Sequence, residues 1–79
     1  MTLQEKIDKL PLSIEHDGKV YHLRFEMTHT GAYVRYLNYD VWDDLFIVER
    51  ISDNNPKDCF AYVIDRALII VENKEWKQL

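Results

Sequence analysis

The chain has 79 residues, 47% of them hydrophobic and 13% aromatic, with two Gly, two Pro and one Cys. This composition argues against a disordered or low-complexity protein, and it predicts one domain over residues 1–79 with a small, marginal core. A net charge of −4 works against nucleic-acid binding, while the single Cys59 excludes an internal disulfide and favours a reducing, cytoplasmic location.

Neither a membrane span nor a targeting segment is expected. The first ten residues alternate charged and apolar side chains, unlike the apolar centre of a signal peptide. The longest aliphatic run covers residues 67–71, far fewer than the roughly 20 residues that a spanning helix needs. We therefore expect no membrane association.

The first predicted element is a short helix over about residues 3–9. Thr2 and Glu5 have the spacing of a capping box, and apolar residues recur behind them at helical intervals. Pro11 cannot continue a helix and ends it. We expect this helix to pack at the edge of the domain.

A β-hairpin follows, centred on Asp17-Gly18. This dipeptide is typical of a type I′ turn, which requires positive φ at both positions. The turn pairs His16 with Lys19, and side chains then alternate along both strands. The residues expected on one apolar face are Leu12, Ile14, Tyr21, Leu23, Phe25 and Met27.

A second turn is predicted at Thr30-Gly31, with a third strand over about residues 32–37. This turn continues the apolar face of the first hairpin and gives one cross-strand pair of opposite charge. The expected pairs are Met27 with Val34, Phe25 with Tyr36, and Glu26 with Arg35.

Residues 38–44 are predicted to form a loop, and residues 45–51 a fourth strand, because the second segment is rich in β-branched and aromatic side chains. A helix that begins at Asp40 remains an alternative, since Val41, Leu45 and Val48 also fit one helical face.

The C-terminal element is predicted to be a long helix. Asn55 is a suitable N-cap, Pro56 suits the first helical position, and apolar residues recur to about residues 72–74. The fold class is therefore α+β: a short N-terminal helix, an antiparallel meander of three to four strands, and a C-terminal helix packed on one sheet face. Leu68 or Ile69 must point away from the main stripe, toward the N-terminal helix, a partner or, in a homodimer through this helix, a second copy of the chain. Trp76 either closes the core or anchors a partner.

No metal, cofactor or catalytic residue is predicted. His16 and His22 point to opposite sheet faces in the expected register, and His29 lies at the next turn, so the three do not converge on one ion. The aspartates at positions 40, 43 and 44 lack the spacing of a calcium loop. Cys59 is expected to pack in the helix rather than to react.

The charge is unevenly distributed, because residues 40–58 hold six acidic and two basic side chains. An acidic loop region can serve solubility alone. Trp42 among these carboxylates, however, combines an aromatic anchor with electrostatic steering. We expect a non-catalytic protein-binding module or adaptor with a basic protein partner, in its sharper form an inhibitor that mimics nucleic-acid charge. The partner-binding residues expected are Asp40, Trp42, Asp43 and Asp44, then Tyr33 and Arg24.

Two other functions stay open. Tyr33 and Arg24 on an exposed sheet face, with His22 and Tyr39, are residue types that stack on bases, so an RNA- or DNA-binding domain is one alternative. A small enzyme, or an enzyme subunit, with a site at a dimer interface is the other.

Overall fold

The computed structural model describes residues 1–52 and 55–78. The elements are α1 (Leu3–Lys9), β1 (Ser13–His16), β2 (Lys19–Met27), β3 (Gly31–Asn38), β4 (Asp43–Ile51), α2 (Pro56–Asn73) and a 3-10 helix (Glu75–Gln78). The strands form one antiparallel sheet in the order β1-β2-β3-β4. Helix α2 packs on β3 and β4, and α1 packs beside α2. The α+β meander expected from the sequence is confirmed.

Side-chain caps fix the starts of both α-helices. Thr2 and Glu5 form the complete capping box, each side chain bonded to the other residue's backbone N–H at 3.2 Å. At α2 the side chain of Asn55 accepts a hydrogen bond from the backbone N–H of Asp58. Both caps were predicted, and each satisfies backbone donors that a helix terminus leaves free. No helix in the described part of the chain is long and apolar enough to cross a lipid bilayer.

The first hairpin has the predicted turn and register. Asp17 and Gly18 have φ values of 52° and 76°, as a type I′ turn requires, and His16 pairs with Lys19. The predicted apolar face is only partly covered, however. Tyr21 is buried, whereas Leu12, Phe25 and Met27 remain exposed, because α2 covers that end of the sheet only in part, through Phe60 beside Phe25.

The second hairpin has a different register from the one predicted. Phe25 pairs with Val34 and Met27 with Ala32, so the expected Glu26–Arg35 pair does not form. The turn begins at Thr28, whose hydroxyl accepts hydrogen bonds from the backbone N–H groups of Thr30 and Gly31. Gly31 therefore belongs to β3 and not to the turn.

Gly31 is required for a close approach between strands. A Cβ at this position would collide with the backbone carbonyl of Arg50 and lie 2.9 Å from the Cα of Ile51. The glycine that looked like a turn residue thus allows β3 and β4 to meet at the end of the sheet.

Residues 40–51 are not helical, so the alternative of a helix from Asp40 is wrong. β4 starts two residues earlier than predicted, because Asp43 and Asp44 pair with the end of β3. The ladder shifts between Tyr36 and Leu37, which leaves Leu45 as the extra residue of a β-bulge. The bulge changes which residues of β4 face the helices.

The core lies between the sheet and α2. Val34 and Tyr36 of β3 and Val63 and Ile64 of α2 are fully buried, and the ring of Trp76 stacks on Phe46 at 6.2 Å. Trp76 therefore closes the core, one of the two roles that the sequence allowed. Leu68 is buried as well, whereas Ile69 is exposed on the outer side of α2.

Tyr36 generates a prediction about alkaline pH. Its hydroxyl donates to the backbone carbonyl of Pro11 at 2.8 Å, and burial raises the pKa of the phenol. Because the unfolded chain then ionises this tyrosine more readily than the folded chain, the free energy of unfolding should fall as the pH rises above about 10. Urea unfolding of the wild type and of Tyr36→Phe across this range measures the effect.

We expect Tyr36→Phe to lose about 1 kcal/mol at neutral pH, from the missing hydrogen bond, and to show a shallower alkaline decline. Tyr62→Phe, on the exposed side of α2, is the control and should keep the wild-type profile. Identical alkaline slopes for wild type and Tyr36→Phe would contradict the assignment.

Candidate functional site

The connection between β3 and β4 is held by the side chain of Asn38. Its Oδ1 accepts hydrogen bonds from the backbone N–H groups of Asp40 at 3.0 Å and Val41 at 3.1 Å. Its Nδ2 donates a hydrogen bond to the carbonyl of Val20 at 3.0 Å. Asn38 is the buried polar residue of the described chain. These bonds tie residues 39–43, which we call the hairpin tip, to β2. Apolar periodicity does not reveal this role of Asn38, although Asn at the start of a turn is a usable signal.

Trp42 adopts a left-handed backbone conformation, with φ of 53°. This region suits Gly or Asn, and a bulky side chain there costs roughly 1–2 kcal/mol. Burial does not offset the cost, because Trp42 is 69% exposed. A large apolar side chain in a strained and exposed position points to a role outside the stability of the fold.

The aromatic side chains of the tip lie on the sheet face opposite the helices. The ring of Tyr39 is 5.7 Å from that of His22, and the ring of Trp42 meets Tyr39 edge-on at the same distance. His22 pairs across the sheet with Leu37, which is fully buried although it faces away from the helix-covered core. The open face thus has a small apolar cluster of its own at the tip end.

Around this cluster the tip exposes both apolar and acidic groups. Val41 is 55% and Tyr39 44% exposed, and the carboxylates of Asp40 and Asp43 are also exposed. An open cleft of about 360 Å³ separates the tip from the first hairpin turn. The residues lining it are Gly18, Lys19, Val20, His22, Asn38, Tyr39, Asp40 and Val41. This volume lies at the low end of ligand sites and suits one or two side chains of a partner.

Asp44 has a different environment from the other predicted carboxylates. It forms a bidentate ion pair with Arg35, with N–O distances of 2.8 and 2.9 Å, and both side chains are partly buried. The hydrogen bond to Asp44 raises the pKa of the Arg35 guanidinium. The pair spans β3 and β4 beside the bulge, so the charge of Asp44 is already neutralised within the chain.

Tyr33 and Arg24 lie on the same open face but outside the tip. The Tyr33 hydroxyl donates to the carboxylate of Glu26 at 3.1 Å, and desolvation together with this bond raises its pKa. Arg24 pairs across the sheet with Arg35, and it forms no ion pair within residues 1–52 and 55–78. Of the six predicted site residues, the structure therefore brings together Asp40, Trp42 and Asp43.

The acidic segment of residues 40–58 does not form one surface. β4 runs for nine residues, about 30 Å, between the tip and the start of α2. Asp58 is therefore at the opposite end from Asp40, where its carboxylate accepts a hydrogen bond from the side chain of Asn55, the N-cap of α2. Asp53, which belongs to the same segment, lies outside the described residues.

The remaining chemical candidates are separate from the tip. Among the described residues, no group of three His, Cys, Asp or Glu side chains is placed to hold a metal ion. Cys59 is buried in the first turn of α2, where it belongs to the core.

Comparison of the chain with protein family models, characterised proteins and solved structures finds no match. The geometry and charge of the tip are therefore the basis for a functional proposal.

Trp42 and Trp76 should differ sharply in their effect on stability. Trp42→Gly removes backbone strain and loses one edge-on aromatic contact, so the free energy of unfolding should change by less than about 1 kcal/mol. Trp76→Ala empties a core position and should cost about 3–5 kcal/mol. Urea unfolding of both variants measures the difference. A loss above about 2 kcal/mol in Trp42→Gly would show that this residue is needed for the fold.

Asn38 should be important for both the fold and the tip. Asn38→Ala leaves a buried carbonyl and two backbone N–H groups without their partners, and we expect it to cost about 1–3 kcal/mol. Trp42 fluorescence, measured in a Trp76→Phe background, should also shift because the tip loses its anchor. Asn73→Ala, at the exposed end of α2, is the control. If Asn38→Ala matched this control in both measurements, the anchoring role would be wrong.

Proposed function

We propose that the chain is a small, non-catalytic protein-binding module that contacts its partner through the hairpin tip. The observation that carries the proposal is Trp42, held in a strained conformation with most of its surface exposed. Tryptophan is among the residues that dominate binding energy when a partner buries them. The Asn38 hydrogen bonds favour the same conclusion, because a tip that is ordered beforehand loses little entropy on binding.

The charge of the tip supports a basic partner. Asp40 and Asp43 are exposed, and neither forms an ion pair within the described part of the chain. Two free carboxylates beside an aromatic anchor attract a surface with lysine or arginine around an apolar pocket. Asp44 adds little to this attraction, since Arg35 already neutralises it.

The other functions have less support from the site. An inhibitor that mimics nucleic acid needs a row of free carboxylates, whereas here Asp44 is paired and Asp58 lies at the far end of β4. For RNA or DNA binding, the open face offers Arg24 but also Glu26 and Glu49. Carboxylates on that face repel phosphates. The enzyme alternative stays a prediction from the sequence.

The proposal can be tested with four immobilised forms of the protein: wild type, Trp42→Gly, D40N/D43N and the control pair D8N/E72Q. The control removes the same two negative charges from exposed positions on the helices. Each form is exposed to nuclease-treated lysate of the source, and retained proteins are identified. Association and dissociation rates are then measured for any protein that wild type and control both retain.

We expect Trp42→Gly to weaken binding about 30-fold, because a buried aromatic anchor is lost. D40N/D43N should slow association about tenfold at low salt and leave dissociation nearly unchanged, since these charges act on the encounter. Full binding by Trp42→Gly would contradict a contact at the tip. Equal losses in D40N/D43N and the control would attribute the effect to overall charge. Retention only of nucleic acid, without nuclease, would favour the RNA- or DNA-binding alternative.

A further inference from the structure

The edge of β2 is only half covered. β1 pairs with β2 from His16–Lys19 to Ser13–His22, and the last bond along this line runs from the Leu23 N–H to the Leu12 carbonyl. No described strand pairs with residues 24–27 on this side. Because backbone groups alternate along a strand, the N–H and C=O groups of Phe25 and Met27 point to the same edge as those of Leu23.

The side chains next to this edge are unusually apolar for an exposed position. Phe25 is 41%, Met27 48% and Leu12 82% exposed, and Phe25 rests against Phe60 of α2 at 5.9 Å. All of these lie on the helix side of the sheet, at the end that α1 does not cover. An open strand edge with apolar side chains is a template for pairing with another strand, and proteins usually protect such edges with charge or proline.

The charged residues of this segment form a self-complementary pattern. Arg24 and Glu26 flank Phe25 and point to the opposite face from it. Arg24 sits across from a second cation, Arg35, whose own charge is satisfied by Asp44. Like charges directly opposite each other are unfavourable, so Arg24 is the cation here that would gain from a further carboxylate.

We propose that this edge pairs with the same edge of a second copy of the chain, antiparallel and about a two-fold axis at Phe25. Phe25 then faces Phe25 of the second copy. Arg24 of each copy faces Glu26 of the other, which gives two ion pairs between the copies. The two sheets become continuous, with the helices of both copies on one side. In this register Met27 of the second copy falls opposite Leu23, where Leu12 now lies, so the single hydrogen bond between Leu23 and Leu12 must open to admit it. The new ladder therefore covers residues 24–26.

Two other surfaces fit a second copy less well. The outer edge of β4 carries the Leu45 bulge and a run of carboxylates at Asp43, Asp44 and Glu49. Both features discourage pairing. On α2, Ile69 is exposed one helical turn after Asp65 and Arg66, and Tyr62 is partly covered by the guanidinium of Arg50 at 4.4 Å. The homodimer through the C-terminal helix stays a prediction from the sequence.

The dimer is weak because the ladder is short and its ion pairs are exposed. We expect a dissociation constant on the order of 100 µM, in the range of weak and transient protein contacts. Sedimentation velocity at protein concentrations from about 10 µM to about 1 mM therefore covers the transition.

The charge pattern provides the decisive variants. R24E places two carboxylates opposite each other across the axis, and E26R places two guanidinium groups there, so each should raise the dissociation constant at least about tenfold. An equimolar mixture of R24E and E26R restores opposite charges at both positions and should associate within about threefold of wild type. Controls with the same changes in net charge, K77E and E72R, lie near the C-terminus and should behave as wild type.

A wild-type chain that stays monomeric at the highest concentration overturns the proposal. So does a dimer in which R24E and E26R associate as well as wild type, since another surface must then be responsible. Failure of the mixture to recover, with both variants folded by circular dichroism, also overturns it. None of these outcomes depends on the hairpin tip, because the partner is absent from the experiment.

Discussion

A four-stranded sheet has two faces to cover, and this chain has a single long helix with which to cover them. The 18 residues of α2 bury one face over β3 and β4, where Val34 and Tyr36 lose all exposure. That burial is the main stabilising contribution available to so short a chain. Within residues 1–52 and 55–78, the far end of β2 is covered only in part, by Phe60 of α2, and no helix covers the second face. Both candidate binding surfaces are in these uncovered regions.

The hairpin tip illustrates how a small fold can hold an exposed tryptophan without losing order. Three hydrogen bonds from one buried side chain, Asn38, fix the turn and attach it to β2. The strain at Trp42 is tolerated because these bonds determine the path of the backbone independently of the residue at position 42. Tyr39 and His22 then limit the directions that the indole can take. The indole is therefore both exposed and preorganised, which in the proposed function lowers the entropy lost when a partner binds.

The sequence predicts this fold where two independent signals agree and fails where only one is present. In the first hairpin, turn chemistry and apolar alternation specify the same register. In the second, a slip of two residues leaves Phe25 and Met27 on the same face, so alternation cannot distinguish the registers. The turn that begins at Thr28 fixes the register. It is held by hydrogen bonds to the Thr28 hydroxyl, which the apolar periodicity does not predict. The ion pair between Asp44 and Arg35 could not be predicted either, because it depends on the bulge at Leu45, which has no signal in the alternation.

The hairpin tip lies beside the beginning of β2, and the open edge lies at the end of the same strand. In the proposed dimer the second copy runs antiparallel, so the two-fold axis would place one tip at each end of the continuous sheet and keep both open faces on the same side. A partner with two basic sites could then engage both copies, and linked binding multiplies weak individual affinities. A partner with one site gains nothing from the dimer. Weak self-association would therefore favour partners that are dimers or carry repeated binding sites. The affinity of a single tip would stay unchanged.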